Sequence, residues 1–163
     1  MTRKLLFSAG LIASGLFVLS AQQPAPEPIF TTEQVESGRV LAAQTCSLCH
    51  TPSLLGRKGD PGESPALSEL SADMQEFVGR ANGKVPPLVG PVFLERNGGR
   101  TVEDFTKYLR GALITFLPDR TDDASALGVA AYVLMMNGAK PGDEPLTMDS
   151  QLVVNTLTTA QKQ

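Results

Sequence analysis

Residues 46 to 50 read Cys-Ser-Leu-Cys-His, and they hold both cysteines and the only histidine of the chain. Two thiols three positions apart stand about one helical turn from each other, and an imidazole follows at once. Any fold of this chain must be built around that cluster. A structural zinc site takes four ligands, and this chain could complete one only with carboxylates. A thioredoxin-type redox pair sits in a βαβ unit, and no such alternation is visible. A disulfide between such close residues would close an unusually small loop.

The remaining reading is the attachment signature of c-type haem, C-x-x-C-H. One turn of helix places two thiols to meet the two vinyl groups of a porphyrin, and the next residue brings an imidazole under the iron. One covalent haem c is therefore expected, bound through Cys46 and Cys49 with His50 as axial iron ligand. With a single histidine, two-histidine ligation within one chain is excluded. The sixth iron position is left to a methionine, a lysine, a terminal amine, water or nothing.

The start of the chain agrees with this chemistry. Arg3 and Lys4 precede an apolar run from Leu5 to Leu19, and the small residues Ser20 and Ala21 follow. Residues 1–21 read as an export signal, which implies a periplasmic protein. The alternative is an uncleaved membrane anchor, although the run falls short of the about 20 residues a spanning helix needs. Membrane contact is expected only in that case. In an oxidising compartment a pair of thiols is bridged, bound or a hazard. The net charge is −3, and loss of Arg3 and Lys4 with the leader makes it more negative, which excludes nucleic acid as a partner. The chain has no Trp, only 7 Phe and 2 Tyr, so a large flat cofactor would supply apolar bulk that the side chains lack.

Residues 22–31 carry Pro24, Pro26 and Pro28 and read as a stiff tether. A helix is predicted from Thr31 to Gln44, where Thr31 and Gln34 match a capping box. Val35, Gly38, Leu41 and Ala42 share one side of it. Gly38 costs about 1 kcal/mol against Ala within a helix, a cost most easily carried where another backbone comes close. Thr51 to Pro91 is rich in Gly and Pro, with one short helix expected from Ser71 to Arg80. Two clearer helices are predicted from Thr101 to Leu113 and from Asp122 to Met136, the second stopped by Asn137-Gly138. No segment alternates like a half-buried strand. Residues 147–163 read as a C-terminal tail with weak helical promise near Leu152 to Leu157. The expected fold is all-α: about three main helices around one haem, with long loops.

In context the motif resembles the small class I cytochromes c over roughly residues 32 to 146. Gly38 lies eight residues before Cys46, Pro86-Pro87-Leu88-Val89-Gly90 precedes Phe93, and Ala130-Ala131-Tyr132-Val133-Leu134 runs to Asn137-Gly138. The resemblance implies the small cytochrome c fold. It implies that the Pro86 carbonyl accepts a hydrogen bond from the His50 ring, with Pro65-Ala66-Leu67 as a competing segment. It also implies that Tyr132 packs across Gly38. Two departures stand out. Some two dozen extra residues separate His50 from the Pro-Leu-Gly turn. Leu117, before Pro118, stands where the family has its distal methionine, and Leu cannot bind iron. Met74 in the extra segment is a candidate sixth ligand. Lys84 is nearby, Met135 and Met136 fit the core better, and Met148 falls in the tail. An open or water-filled distal site is the expected outcome.

The resemblance implies an electron carrier between redox proteins, from an exported dehydrogenase towards a terminal oxidase, and not an enzyme. Leu117 motivates an alternative: a haem sensor of small ligands or a peroxidase-like protein, with Arg96, Arg100 or Arg120 as distal cations.

Overall fold

The computed structural model describes residues 29–120 and 122–158. The export signal, Pro24, Pro26, Pro28 and the Arg120 side chain lie outside the described residues. Within them the chain is all-α, at 56% helix and 5% strand.

The first helix, α1 (Thr32–Gln44), begins as its sequence dictates. The Thr31 side chain accepts from the Gln34 backbone, and the Gln34 side chain accepts from the Thr31 backbone. Gly38, Leu41 and Ala42 are buried on one face, while Arg39 and Val40 are exposed. The short α2 (Cys46–His50) follows after Thr45. The segment expected to be mostly loop has more structure than its composition promises. It holds a two-residue antiparallel ladder, β1 (Arg57–Lys58) with β2 (Lys84–Val85), then α3 (Ala72–Arg80) between them and α4 (Pro91–Asn97) after them. Ser71 does occupy the cap position of α3, but its side chain makes no capping hydrogen bond. The longest helix, α5 (Val102–Phe116), runs three residues beyond the predicted Leu113. In α6 (Asp123–Met136) the Asp122 carboxylate caps the Ser125 N–H at 2.7 Å. A last turn, α7 (Val154–Leu157), ends the described chain.

Helix α6 is buried nearly all round, from Ala126 to Leu134, because it packs on both α1 and α5. A helix apolar on every side needs neighbours on more than one. Its closest approach is to Gly38. A Cβ built there would stand 1.8 Å from the Gly128 carbonyl oxygen and 2.8 Å from the Val129 nitrogen. The two backbones meet without side chains between them. The backbone that meets Gly38 is that of Gly128; Tyr132, one turn later, is partly buried and packs on the core.

Both ends of the described segment enter the core. Ile29 and Phe30, placed by sequence at the end of a tether, are buried, and Phe30 is 0% exposed. The Phe30 carbonyl accepts from the Gly142 N–H at 2.7 Å. The predicted tail returns to the α4–α5 corner. There Val102 N–H donates to the Leu152 carbonyl, Asn155 N–H donates to the Gly98 carbonyl, and Val154 and Leu157 are buried.

The crossing gives an ordered prediction. Gly38→Ala destabilises the protein by about 3 kcal/mol or more, the upper range of overpacking. Gly128→Ala costs less, because its new Cβ first meets the Ser37 hydroxyl at 2.9 Å, a group that can rotate away. Chemical denaturation of the two variants measures both.

Candidate functional site

Thr45 and three residues of α2, the segment 85–88, parts of α3 and α4, and much of α5 line a cavity of about 890 Å³. That is near the upper end of small-molecule and cofactor sites, roughly 300–1,000 Å³. Cys46, Cys49 and His50 all line it, with Val85 to Leu88 beside them and Phe93, Phe105, Leu109 and Leu113 among the apolar walls. Phe93 and Phe105 are fully buried and meet edge to face, their centroids 5.5 Å apart. Arg96, Arg100 and Lys107 are the charged residues of its lining. Lys107 is paired with Glu103, and the Arg100 guanidinium lies 5.5 Å over the Tyr108 ring.

The two thiols are not bonded to each other. Burial raises the pKa of both. A hydrogen bond with Thr45 opposes this at Cys46, and the nearby Arg57 charge opposes it at Cys49. Dithiol oxidoreductases need the reverse, a lowered thiol pKa. Among the described residues no group of three or more His, Cys, Asp and Glu side chains is gathered so as to hold a metal ion by itself.

His50 is held in one orientation. Its Nδ1 lies 2.7 Å from the Pro86 carbonyl oxygen. A carbonyl can only accept, so Nδ1 carries the proton and Nε2 keeps its lone pair in the neutral ring. Burial lowers the ring's pKa, against the Pro86 hydrogen bond that raises it. The neutral form, with a donor nitrogen free to bind metal, is thereby favoured. The competing segment is turned elsewhere, since the Pro65 carbonyl accepts from the Arg57 guanidinium.

The turn between His50 and β1 is tight. Thr51 and Leu54 have φ of 67° and 59°, a region that non-glycine residues rarely occupy. Gly56, with φ 76°, has no room for a side chain, since a Cβ would stand 2.3 Å from the Val85 carbonyl oxygen. The Gly56 N–H donates to the His50 carbonyl at 2.8 Å, and the Leu88 N–H donates to the Leu54 carbonyl at 2.8 Å. Strain of this kind persists only where surrounding contacts over-determine it, and here they fasten His50 to the segment 85–88 that includes Pro86.

Among the described methionines only Met74 lines the cavity. It also packs beside a buried cluster of Cys49, Leu70, Val78 and Val85. Lys84 is exposed and does not line the cavity. Leu117 is absent from the lining as well: it ends α5 and packs on the main core, while Thr115 and Phe116 face the cavity instead. Of the three arginines named from sequence, Arg96 and Arg100 line it, and the Arg120 side chain lies outside the described residues.

Asn137 escaped notice as more than a helix stop. Its side chain is buried. Its Oδ1 accepts from the Gly90 N–H at 2.9 Å, and its Nδ2 donates to the Leu88 carbonyl at 3.0 Å and the Val133 carbonyl at 2.8 Å. It therefore ties the Pro86–Gly90 turn to the end of α6. The only signal for this in the sequence was an amide following an apolar helix and facing no obvious turn partner.

Comparison with protein families, with curated proteins and with solved structures gives no match. The geometry alone bears on what the site does.

Asn137→Ala leaves the partly buried Gly90 N–H and Leu88 carbonyl without these partners. It is expected to lower stability by about 1–3 kcal/mol, read from the midpoint of urea unfolding with an unchanged slope.

Proposed function

We propose that this chain is an exported monohaem c-type cytochrome with a class I-like fold, carrying single electrons between redox proteins. One observation supports this above all others. The two thiols and the only histidine share one wall of a large, mostly apolar cavity, and the histidine presents Nε2 because Nδ1 is spoken for by Pro86. A zinc site, a dithiol catalyst and a disulfide each need something this arrangement lacks. A haem needs two neutral thiols, one oriented imidazole and a greasy slot.

In this reading Cys46 and Cys49 would hold the group covalently, and the free His50 ring nitrogen would bind its iron. Pro86 fixes the ring's rotation and would raise its basicity, as outer-shell partners of metal-bound histidines do. Phe93, Phe105, Leu109 and Leu113 would exclude water from the group, and Arg96 and Arg100 could pair with its carboxylates. When bound, haem supplies an iron that changes oxidation state by one electron. Little in the walls has to move for that, which suits a carrier. Partners are an exported dehydrogenase on the donor side and a terminal oxidase on the acceptor side. Among the described residues no helix is long and apolar enough to cross a membrane.

Met74 is the sixth ligand best supported by position. The alternative reading, a small-ligand sensor or peroxidase-like protein, draws on the two cavity-lining arginines and on the diversion of Leu117 to the core. Distal polarity and access decide between electron transfer and ligand activation.

Two measurements test these readings. Protein made in a host that attaches c-type haem is expected to keep its haem under denaturing, acid-acetone extraction. Loss of the haem to the solvent would sink the proposal, and Cys46→Ala/Cys49→Ala serves as the released control. Carbon monoxide added to the reduced protein then reads the distal side. The carrier reading with Met74 bound expects no prompt spectral change in wild type and a prompt one in Met74→Ala. A prompt change in wild type favours the ligand-binding alternative.

A further inference from the structure

Arg57 is the most deeply buried charged side chain near the site, with 3% of its side chain exposed. An arginine is almost never so buried unless it is paired. Its nearest carboxylate is a weak partner. Glu63 Oε2 lies 3.9 Å from Nη1, while Glu63 Oε1 accepts from the Lys58 backbone at 2.6 Å. The guanidinium spends its donors on backbone carbonyls. Nε donates to Cys49 at 3.1 Å, and Nη2 donates to Leu48 at 3.1 Å and to Pro65.

Leu48 and Cys49 lie in the last turn of α2, where carbonyls have no partner within the helix. A cation that hydrogen-bonds such carbonyls also meets the negative end of the helix dipole. The helix has only five residues, too few to persist on its own. The backbone of Arg57 stands opposite Val85 in the β1–β2 ladder, and Pro86 follows Val85. One residue thus grips the helix that carries His50 and lies in the ladder that leads to the carbonyl orienting it.

We propose that Arg57 is the positioning residue of this site. Its planar fork fixes the Cys49–His50 turn against the strand leading to Pro86, and its fixed positive charge beside Cys49 favours the reduced iron. The proposal rests on the haem reading above. A lysine would keep the charge but, as a single point donor on a flexible stem, could not span three carbonyls.

The test uses full-length protein with haem attached, as wild type, Arg57→Lys and Arg57→Gln. The readouts are the reduction potential and the paramagnetically shifted NMR resonances of the His50 ring in the oxidised state. Arg57→Gln is expected to lower the potential and to move the ring resonances. Arg57→Lys is expected to restore most of the potential while the ring resonances stay displaced. Should Arg57→Gln fail to accumulate, the Arg57→Lys resonances decide alone. Ring resonances at wild-type positions in Arg57→Lys overturn the positioning role. A wild-type potential in Arg57→Gln overturns the electrostatic one. Wild-type protein without covalent haem overturns instead the functional reading beneath it.

Discussion

The fold depends on one contact between two backbones, where Gly38 of α1 meets Gly128 of α6. Helices α2 and α5 are placed against that pair of helices. Helix α2 continues from α1 after a single residue, so the angle of α1 sets where the thiols emerge. Helix α5 packs on α6 and supplies the facing wall of the cavity. The Asn137 amide at the end of α6 holds the turn that contains Pro86. A side chain inserted at the crossing would therefore disturb the cavity from two directions at once, and it would press on the backbone of Val129, which lines it.

Around His50 the structure concentrates its least comfortable backbone and its least expected burial. Two non-glycine residues sit at positive φ, a glycine has no space for a Cβ, and an arginine is enclosed among carbonyls. These features have one geometric effect in common. They bring a segment just after His50 and a segment more than thirty residues later into register, so that one ring nitrogen meets one carbonyl. The surface ion pairs on α1, α3 and α5 are exposed, at one-turn spacing, and contribute little by comparison.

The sequence made parts of this legible and hid others, for physical reasons. Thr31 with Gln34, Thr101 and Asp122 announce their helices because a cap is a local bond between near neighbours. Gly38 announced a close approach, since a mid-helix glycine has a cost that some contact must offset, but nothing local identified Gly128 as its counterpart. The hydrogen bond from His50 to Pro86 became readable only through resemblance to a family, because it joins residues 36 apart. Helix α4 is seven residues long and too short for periodicity to register. Its one local mark is Gly90 followed by Pro91, a turn residue followed by a good first helical residue. Ile29 and Phe30 hid behind prolines, and the return of residues 152–158 depends on long-range pairing. Arg57 was invisible for the plainest reason: arginine composition predicts surface.

Gln34 offers a last point. Its side chain completes the cap of α1 and also exchanges two hydrogen bonds with the backbone of Leu146, at 2.9 and 2.7 Å. A residue from the beginning of the domain thus acts as a short piece of strand beside a residue near its end. Opening of the segment after α6 must also uncap α1, and fraying of α1 must release Leu146. The start of α1 and the segment around Leu146 are therefore one cooperative unit, protected together or exposed together.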